Sequence, residues 1–146
     1  MMKSCFDDLK LENQLCFPLY AASRNVIREY KPFLDKLDLT YTQYIAMLVL
    51  WEKDKVTVKE LGEALYLDSG TLTPLLKKLE NKGLITRKRS TEDERNLILT
   101  LTKAGQAMQE QAAGIPAELC KKVPLTDEEA ETLHGLLYKL LGGLEA

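Results

Sequence analysis

Apolar residues recur every three or four positions along most of the chain, which is the spacing of one face of a helix. Between residues 68 and 80 this stripe consists of Leu72, Leu75 or Leu76, and Leu79. The pattern predicts an amphipathic helix whose leucines face a core. Its outward positions carry small hydroxyls first and lysines later, namely Ser69, Thr71, Thr73, Lys77 and Lys78.

Two residues are able to begin this helix. Asp68 can cap it, or Thr73 can cap a shorter helix with Pro74 at its first position, where the missing N–H has no cost. Gly83 ends it. Such a helix is suited to entering the major groove of DNA end-on, because short donors near its N-terminus reach base edges and its lysines meet phosphates.

The same helical spacing extends over residues 9 to about 30, where the apolar face is wide. Proline disfavours helical geometry at the residue before it, so Pro18 either kinks this helix or marks the beginning of its regular part. In the second case Cys16 lies at a helix N-terminus. A second subunit is the expected cover for so much apolar surface at the start of a small protein.

Capping signals mark the starts of four further helices. The signals are Thr40 with Gln43, Thr57 with Glu60, Thr102, and Thr126 with Glu129. They predict helices over residues 41–53, 58–66, 102–113 and 127 to 142–143. The positions expected to be buried are Tyr44, Met47, Leu48 and Trp51 in the first of them and Leu61 and Leu65 in the second. The second of these helices, a tight turn and the helix over 68–80 form a predicted helix-turn-helix.

Residues 84–89 and 96–101 alternate between polar and apolar, which predicts a β-hairpin joined by a charged connection. Leu97, Leu99 and Leu101 share one face of its second strand. An arginine at the tip, Arg95, is suited to a narrow minor groove, and Asp93 is expected to orient it. The predicted fold class is mainly α with a small β-hairpin wing, a winged helix-turn-helix.

The 146 residues, 45% of them hydrophobic, suffice for one well-cored domain. No apolar run reaches the roughly 20 residues needed to cross a bilayer, and the first ten residues lack a signal-peptide core, so a cytoplasmic protein without membrane contact is expected. Three cysteines, Cys5, Cys16 and Cys120, are odd in number and far apart, which argues against a metal site or a disulfide framework. Nothing in the sequence calls for a cofactor.

A net charge of -2 and a pI near 5.5 are unusual for a nucleic-acid-binding protein. The distribution of charge matters more, since seven basic residues lie between positions 77 and 95, which is compatible with phosphate contact. The candidate DNA contacts are Ser69, Thr71, Thr73, Lys77, Lys78, Arg87, Lys88, Arg89, Asp93 and Arg95.

The order of these elements, with DER at 93–95 followed by LTKAG at 101–105, resembles the MarR family of dimeric winged-helix repressors. The strings LENQLCF at 11–17, LTYTQY at 39–44 and LDSGTLTP at 67–74 are similar to its organic-hydroperoxide-sensing (OhrR-type) branch. The resemblance implies a single domain over residues 1–146 that forms an obligate homodimer on a pseudo-palindromic operator. Its dimerisation helices would span about 9–35 and 103–146, and its DNA-binding lobe about 55–101.

The resemblance also implies that Cys16 reacts with organic hydroperoxides and that Tyr30 and Tyr41 hydrogen-bond it in the reduced protein. Cys16 and Tyr30 are 14 residues apart, about 21 Å on one straight helix. The expected site therefore spans two subunits, with Tyr30 supplied by an antiparallel helix of the partner. Cys120 lies where two-cysteine members of the branch carry a resolving cysteine, and in one-cysteine members a small thiol takes that role.

Three other functions stay open at this stage. A ligand at the dimer interface, instead of cysteine chemistry, would also release a MarR-type repressor. A thiol peroxidase using Cys16 is disfavoured, because no histidine, metal set or phosphate loop accompanies the cysteine. A winged helix that binds protein and not DNA would lack the steep salt dependence of phosphate contact.

Overall fold

The computed structural model describes residues 6–92 and 96–144. Within them the chain forms seven α-helices and three β-strands after two short 3-10 turns, Asp7–Leu9 and Leu11–Asn13. The helices are α1 (Cys16–Asp35), α2 (Tyr41–Lys53), α3 (Val58–Leu65), α4 (Ser69–Asn81), α5 (Lys103–Ala112), α6 (Ile115–Cys120) and α7 (Asp127–Leu144). The strands are β1 (Lys55–Thr57), β2 (Ile85–Arg89) and β3 (Leu97–Leu101). The expected helical fold with a small wing is present.

The first helix begins later and ends later than the sequence predicted. The helix expected from residue 9 starts at Cys16, so Pro18 lies in its first turn, where the absent N–H has no helical partner to lose. The preceding residues form the 3-10 turns instead, and the side chains of Asn13 and Gln14 donate to their backbone carbonyls. Beyond Tyr30 the helix continues to its end at residue 35.

The cap of α2 has both bonds of a capping box. Thr40 Oγ1 accepts from the N–H of Gln43 at 3.2 Å, and Gln43 Oε1 accepts from the N–H of Thr40 at 3.1 Å. One burial prediction in this helix is wrong, because Leu48 is 41% exposed. The inward position one turn after Met47 belongs instead to Leu50, which is fully buried. Trp51 is half-buried and donates from Nε1 to the carbonyl of Gly105 at 2.9 Å.

The helix-turn-helix formed by α3 and α4 is confirmed. Its inner face is set by four buried leucines of α4, Leu72, Leu75, Leu76 and Leu79. Between the two possible starts, the structure selects Asp68, whose Oδ1 accepts from the N–H of Thr71 at 2.7 Å. Gly83 follows α4 with a φ of 76°, a left-handed conformation that ends the helix.

The wing is part of a three-stranded antiparallel sheet in the order β1-β3-β2. Strand β2 pairs with β3 from Ile85 opposite Leu101 to Arg89 opposite Leu97, as the alternating pattern predicted. Strand β1 was missed, because three residues are too few for an alternating pattern to stand out. It pairs with the other side of β3 and ties the wing to the base of α3.

Two compact units make up the chain, Met1–Ile115 and Pro116–Ala146. The first holds the buried core, formed by leucines of α2, α3, α4 and the sheet. In the second, α7 begins with the predicted cap, in which Thr126 and Glu129 exchange hydrogen bonds of 3.0 and 3.2 Å. The helix runs through Gly142 and Gly143 to Leu144, and α6, which was not predicted, precedes it. No residue of α7 is buried.

The helices α1 and α7 each expose large apolar side chains. Those of α1 are Phe17, Leu19, Tyr20, Val26 and Ile27, and those of α7 are Leu133, Leu136, Tyr138, Leu140, Leu141 and Leu144. An apolar face of this kind on a small protein marks a surface that another molecule covers. In the described ranges no helix is long and apolar enough to cross a membrane.

Candidate nucleic-acid interface and cysteine site

The outward face of α4 carries the hydroxyls and lysines that its sequence pattern predicted. Ser69, Thr71 and Thr73 lie in its first turns, Lys77 and Lys78 follow, and all five are exposed. The hydroxyl of Thr73 donates to the carbonyl of Ser69 at 2.8 Å, which orients it and leaves its oxygen as an acceptor. The helix therefore presents a continuous polar face that begins with short side chains.

The electrostatics at the start of α4 are fixed by its cap. The backbone hydrogen bond from Thr71 is the main reason that the pKa of Asp68 is held below its ordinary value. The carboxylate is therefore ionised at neutral pH and faces the positive end of the helix dipole. This cap holds the hydroxyl-bearing turn of α4 in one conformation.

The described part of the wing adds two exposed basic side chains beside α4, Lys88 and Arg89 at the end of β2. Together with Lys77 and Lys78 they make the first unit locally basic on an acidic protein. Asp93 and Arg95, which the sequence assigned to the wing tip, lie outside the described residues, as does Cys5. The basic surface that the structure describes therefore ends at Lys88 and Arg89, before the wing tip.

Arg87 was predicted to contact DNA, but its guanidinium is turned towards α4. Its side chain is half-buried, and Nη2 and Nε lie 3.1 and 3.3 Å from Oε1 of Glu80. Its backbone N–H also donates to Oε2 of Glu80 at 3.2 Å. The hydrogen bond with the arginine side chain holds the pKa of Glu80 below its ordinary value. Arg87 therefore fastens β2 to α4, and Glu80, which the sequence analysis did not single out, is its partner.

Cys16 is the first residue of α1, and its thiol is free and exposed. Phe17, 43% exposed, follows it and lines an open groove of about 460 Å³ together with Lys10, Leu11 and Glu12. The position matches the second of the two alternatives left by Pro18, with the cysteine at a helix N-terminus.

Tyr30 and Tyr41 lie together, and Tyr44 completes the cluster. The ring centroids are 5.0 Å apart for Tyr30 and Tyr41, 5.6 Å for Tyr30 and Tyr44, and 6.2 Å for Tyr41 and Tyr44. Burial raises the pKa of Tyr41, and burial followed by the neighbouring Tyr41 raises that of Tyr44. These two hydroxyls therefore stay protonated and able to donate.

The cysteine and the tyrosine cluster are not brought together within one chain. Cys16 and Tyr30 belong to a single uninterrupted helix, so their 14-residue separation corresponds to about 21 Å along its axis. Because Tyr41 packs against Tyr30, it lies at the same distant part of α1. One chain thus supplies the two halves of the predicted site at separate places.

Comparisons with known proteins agree on the family. The family model described as transcriptional regulator SarA/Rot matches residues 28–111, more than half of the chain. The organic hydroperoxide resistance transcriptional regulator of Bacillus subtilis (strain 168) is 54% identical over 140 residues, which are 96% of this chain and 95% of that protein. The chain belongs to the organic hydroperoxide resistance branch of the MarR-type winged-helix transcriptional regulators. The resemblance carried by its motifs is confirmed.

Solved structures of AbfR share the fold of this regulator. Reduced AbfR bound to DNA is 37% identical, with a TM-score of 0.79 over 95% of this chain and 98% of that one. AbfR, a protein of Staphylococcus epidermidis, has also been solved overoxidised and bound to DNA, at 37% identity and a TM-score of 0.77 over 95% and 98%. Its disulfide-formed structure is 37% identical, with a TM-score of 0.67 over 92% and 95%.

Membership of this family settles the class of protein. The relatives are transcriptional regulators, so the regulator is not an enzyme, and the thiol peroxidase alternative is set aside. Within the described ranges, no three His, Cys, Asp or Glu side chains are grouped so that they could hold a metal ion. Cys120, at the end of α6, is free and exposed.

Proposed function

We propose that the regulator is a homodimeric DNA-binding repressor that senses organic hydroperoxides through oxidation of Cys16 and then releases its operator. The observation that carries this proposal is the division of the site along α1: an exposed cysteine lies at one end and a cluster of tyrosines about 21 Å away. An antiparallel copy of α1 brings each cysteine to the tyrosines of the other chain. Because a repressor acts where its operator is, we propose that the protein works in the cytoplasm.

The sequence of α1 fits such a pairing. If Cys16 lies opposite the partner subunit's Tyr30, twofold symmetry requires Tyr30 to lie opposite the partner subunit's Cys16. The axis then passes the midpoint of the two positions, which is residue 23. Ala22 and Ser23 are exposed there, and side chains this small allow two helices to approach closely. The larger apolar residues on either side, Leu19 and Ile27 among them, supply the surface buried by the pairing.

The chemistry follows from the two halves of the site. The Cys16 thiolate attacks the outer oxygen of the hydroperoxide, the O–O bond breaks, and the departing alkoxide takes a proton to become an alcohol. The cysteine is oxidised to a sulfenic acid and the peroxide is reduced. Hydroxyls of the partner subunit's Tyr30 and the partner subunit's Tyr41 donate to the sulfur in the reduced state and favour the thiolate. The exposed ring of Phe17 offers an apolar contact for the organic tail of the peroxide.

A second thiol then completes the oxidation. It attacks the sulfenic sulfur, a disulfide forms, and water leaves. We propose Cys120 of the other chain as this thiol, with a small cellular thiol as the alternative. AbfR has been solved in a disulfide-formed state and, overoxidised, bound to DNA, which supports disulfide formation as the second step for either thiol.

The DNA-binding half of the proposal rests on α4 and the wing. The hydroxyls at the start of α4 are placed to read base edges in the major groove, and Lys77, Lys78, Lys88 and Arg89 are placed to meet phosphates. A dimer requires its two α4 helices to match half-sites about 34 Å apart. Oxidation that changes this spacing releases the operator.

The test combines intact mass under denaturing, non-reducing conditions with operator binding on the same samples. Wild type, Cys16→Ser and Cys120→Ser are each treated with one equivalent of an organic hydroperoxide. We expect the wild type to become a covalent dimer and lose the operator, and both variants to stay monomeric in mass.

The other outcomes are equally informative. Loss of operator through Cys16 without a covalent dimer assigns the second thiol to a small molecule. Operator binding that ignores peroxide but weakens with an aromatic acid refutes redox sensing and supports release by a ligand at the dimer interface.

A further inference from the structure

The ammonium group of Lys82 joins the end of α4 to the turn between α1 and α2. Lys82 directly follows α4, and its Nζ donates to the backbone carbonyl of Asp38 and, at 3.1 Å, to Oε1 of Gln43. The carboxylate of Asp38 lies 3.6 Å from the same nitrogen. A single cation thus contacts two oxygens of Asp38 in the turn and one of Gln43 in the first turn of α2, about 40 residues earlier in the sequence.

The oxygen that Lys82 binds is already part of the cap of α2. Gln43 is buried, and its Oε1 also accepts from the N–H of Thr40. Tyr41 is the first residue of the same helix and Tyr44 follows Gln43, so both tyrosines share the first turn with this cap. The contact of Lys82 is therefore made to the turn of α2 that carries two members of the tyrosine cluster.

The connection between α1 and α2 is itself firmly held. Leu34, Leu37 and Leu39 are buried, and the N–H groups of Leu37 and Leu39 both donate to the carbonyl of Leu34, at 3.0 and 3.1 Å. Asp38 between them has a φ of 54°, which few non-glycine residues adopt. Burial and hydrogen bonds therefore hold the backbone between α1 and α2 in one conformation.

We propose that Lys82 is a positioning residue that couples the state of Cys16 to the orientation of α4. The inference rests on the proposed function and deepens it. When oxidation alters the contact between Cys16 and the partner subunit's Tyr41, the first turn of α2 shifts, and Lys82 transmits the shift to the C-terminal end of α4. The spacing of the two α4 helices in the dimer then changes.

The neighbouring basic residues do not share this arrangement. Lys77 and Lys78 are exposed on the outer face of α4. Lys82 is also an exposed residue, but its ammonium is directed to Asp38 and Gln43, and 29% of its side chain is accessible. An ammonium group has three donors, and two hydrogen bonds and an ion pair engage this one. Lys82 is thereby separated from the residues proposed to contact phosphate.

The experiment uses Lys82→Met, which keeps the aliphatic stem and removes the ammonium. Operator affinity is measured for the full-length dimer, reduced and after oxidation with an organic hydroperoxide, alongside the rate of Cys16 oxidation. We expect the ratio of reduced to oxidised affinity to fall at least about fivefold relative to wild type, which is the lower end of measured coupling energies. The oxidation rate should not change, because Cys16 and the tyrosines are untouched.

Two further variants make the result specific. Lys31→Met removes an exposed ion pair of the same kind, 3.0 Å from Asp35 within α1, and should leave the affinity ratio unchanged. Lys82→Arg retains a positive charge at the same place and should restore most of the ratio. Thermal denaturation of each variant shows that it is folded.

Three results would overturn the inference. Equal losses in reduced and oxidised affinity, with a lower melting temperature, would make Lys82 merely structural. Lys82 would instead be a DNA contact if the ratio of reduced to oxidised affinity is unchanged and the slope of log affinity against log salt falls by about one. If wild type itself keeps its operator after oxidation of Cys16, the proposed function fails, and the coupling role fails with it.

Discussion

In the proposed function, reaction at Cys16 depends on the hydroxyl groups of Tyr30 and Tyr41. A hydrogen bond to a charged group contributes about 1.5–3 kcal/mol, compared with about 1 kcal/mol for a bond between neutral groups. Removing a hydroxyl that is bonded to the thiolate should therefore slow oxidation much more than it destabilises the fold. Phenylalanine keeps the ring of tyrosine, so the ring contact between the two positions is retained.

We predict that Tyr30→Phe and Tyr41→Phe each slow the oxidation of Cys16 by about tenfold or more while leaving the operator affinity of the reduced protein near that of wild type. The rate is measured from the loss of free thiol under a small excess of organic hydroperoxide. Tyr44→Phe, which changes the third ring of the same cluster, is the control and should react nearly as fast as wild type. Equal rates in all four proteins would remove the tyrosines from the site.

Glu80 makes stability depend on pH. Its folded pKa is lowered from 4.5, chiefly by the hydrogen bond with Arg87, so its contribution to stability is present above that value and is lost as pH falls through the folded pKa. We predict that the melting temperature of wild type exceeds that of Glu80→Gln at pH 7 and that the gap closes as the pH falls below about 4.5. Thermal denaturation between pH 3 and 7 measures the gap.

The control for that series is Glu52→Gln, which removes one exposed carboxylate from α2 without touching β2 or α4. A gap between wild type and Glu80→Gln that is the same at every pH would show that the ionised form of Glu80 is not what Arg87 stabilises.

At the scale of elements, the wing, α2 and α5 meet at Gly105. A Cβ atom added there would lie 2.2 Å from the carbonyl oxygen of Leu84. The same oxygen accepts a hydrogen bond from the N–H of Thr102, so it is not free to move away. We predict that Gly105→Ala lowers the free energy of unfolding by about 1–3 kcal/mol, the usual cost of overpacking. Chemical denaturation measures it, and Gly114→Ala, with no atom within 4 Å of the added Cβ, is the matched control.

Local signals in the sequence were enough for most helix boundaries but not for contacts made over long sequence separations. The starts of α2 and α7 depend on residues three positions apart, Thr40 with Gln43 and Thr126 with Glu129, so the pattern alone predicted them. At Pro18 two local outcomes were equally compatible with the residues, and the sequence left both open. Strand β1 escaped because it is defined by its pairing with β3, which lies some 40 positions further along the chain.

The same reasoning explains why Arg87 was included among the candidate DNA contacts and why no role was assigned to Lys82. Arg87 and Lys82 have no sequence feature that distinguishes them from Lys77 or Lys88. What distinguishes them is a partner on another element, Glu80 for the first and the turn at Asp38 for the second. Composition therefore identified the basic region, and only the structure separates side chains that hold elements together from those exposed on its surface.

At the scale of the whole molecule, the proposed site needs two chains, and mixed dimers test this directly. One chain carries Cys16→Ser with intact tyrosines, and the other carries Tyr30→Phe and Tyr41→Phe with an intact cysteine. If each site combines a cysteine from one chain with tyrosines from the other, the mixed dimer has one complete site. We predict that the one Cys16 of this mixed dimer reacts at close to the wild-type rate.

The two parent homodimers are the controls, because neither contains a complete site. The Cys16→Ser parent should show no oxidation at position 16, and the parent without Tyr30 and Tyr41 should react slowly. If the mixed dimer is as slow as the tyrosine-free parent, the cysteine and tyrosines belong to the same chain and the pairing of α1 helices is refuted.

The separation of Cys16 and Tyr30 along α1 also affects how release of the operator depends on the amount of oxidant. In the proposed dimer each site is shared between two chains. Each dimer holds two equivalent sites but occupies one operator, so the number of sites that must be hit before release shapes the dose–response curve. If one hit is sufficient, derepression rises steeply at the lowest peroxide levels and then saturates. If both hits are required, the curve starts flat and forms a threshold, and a cell would tolerate a background of peroxide without responding. The shape of the dose–response curve therefore shows whether one or both of the shared sites must be oxidised for release.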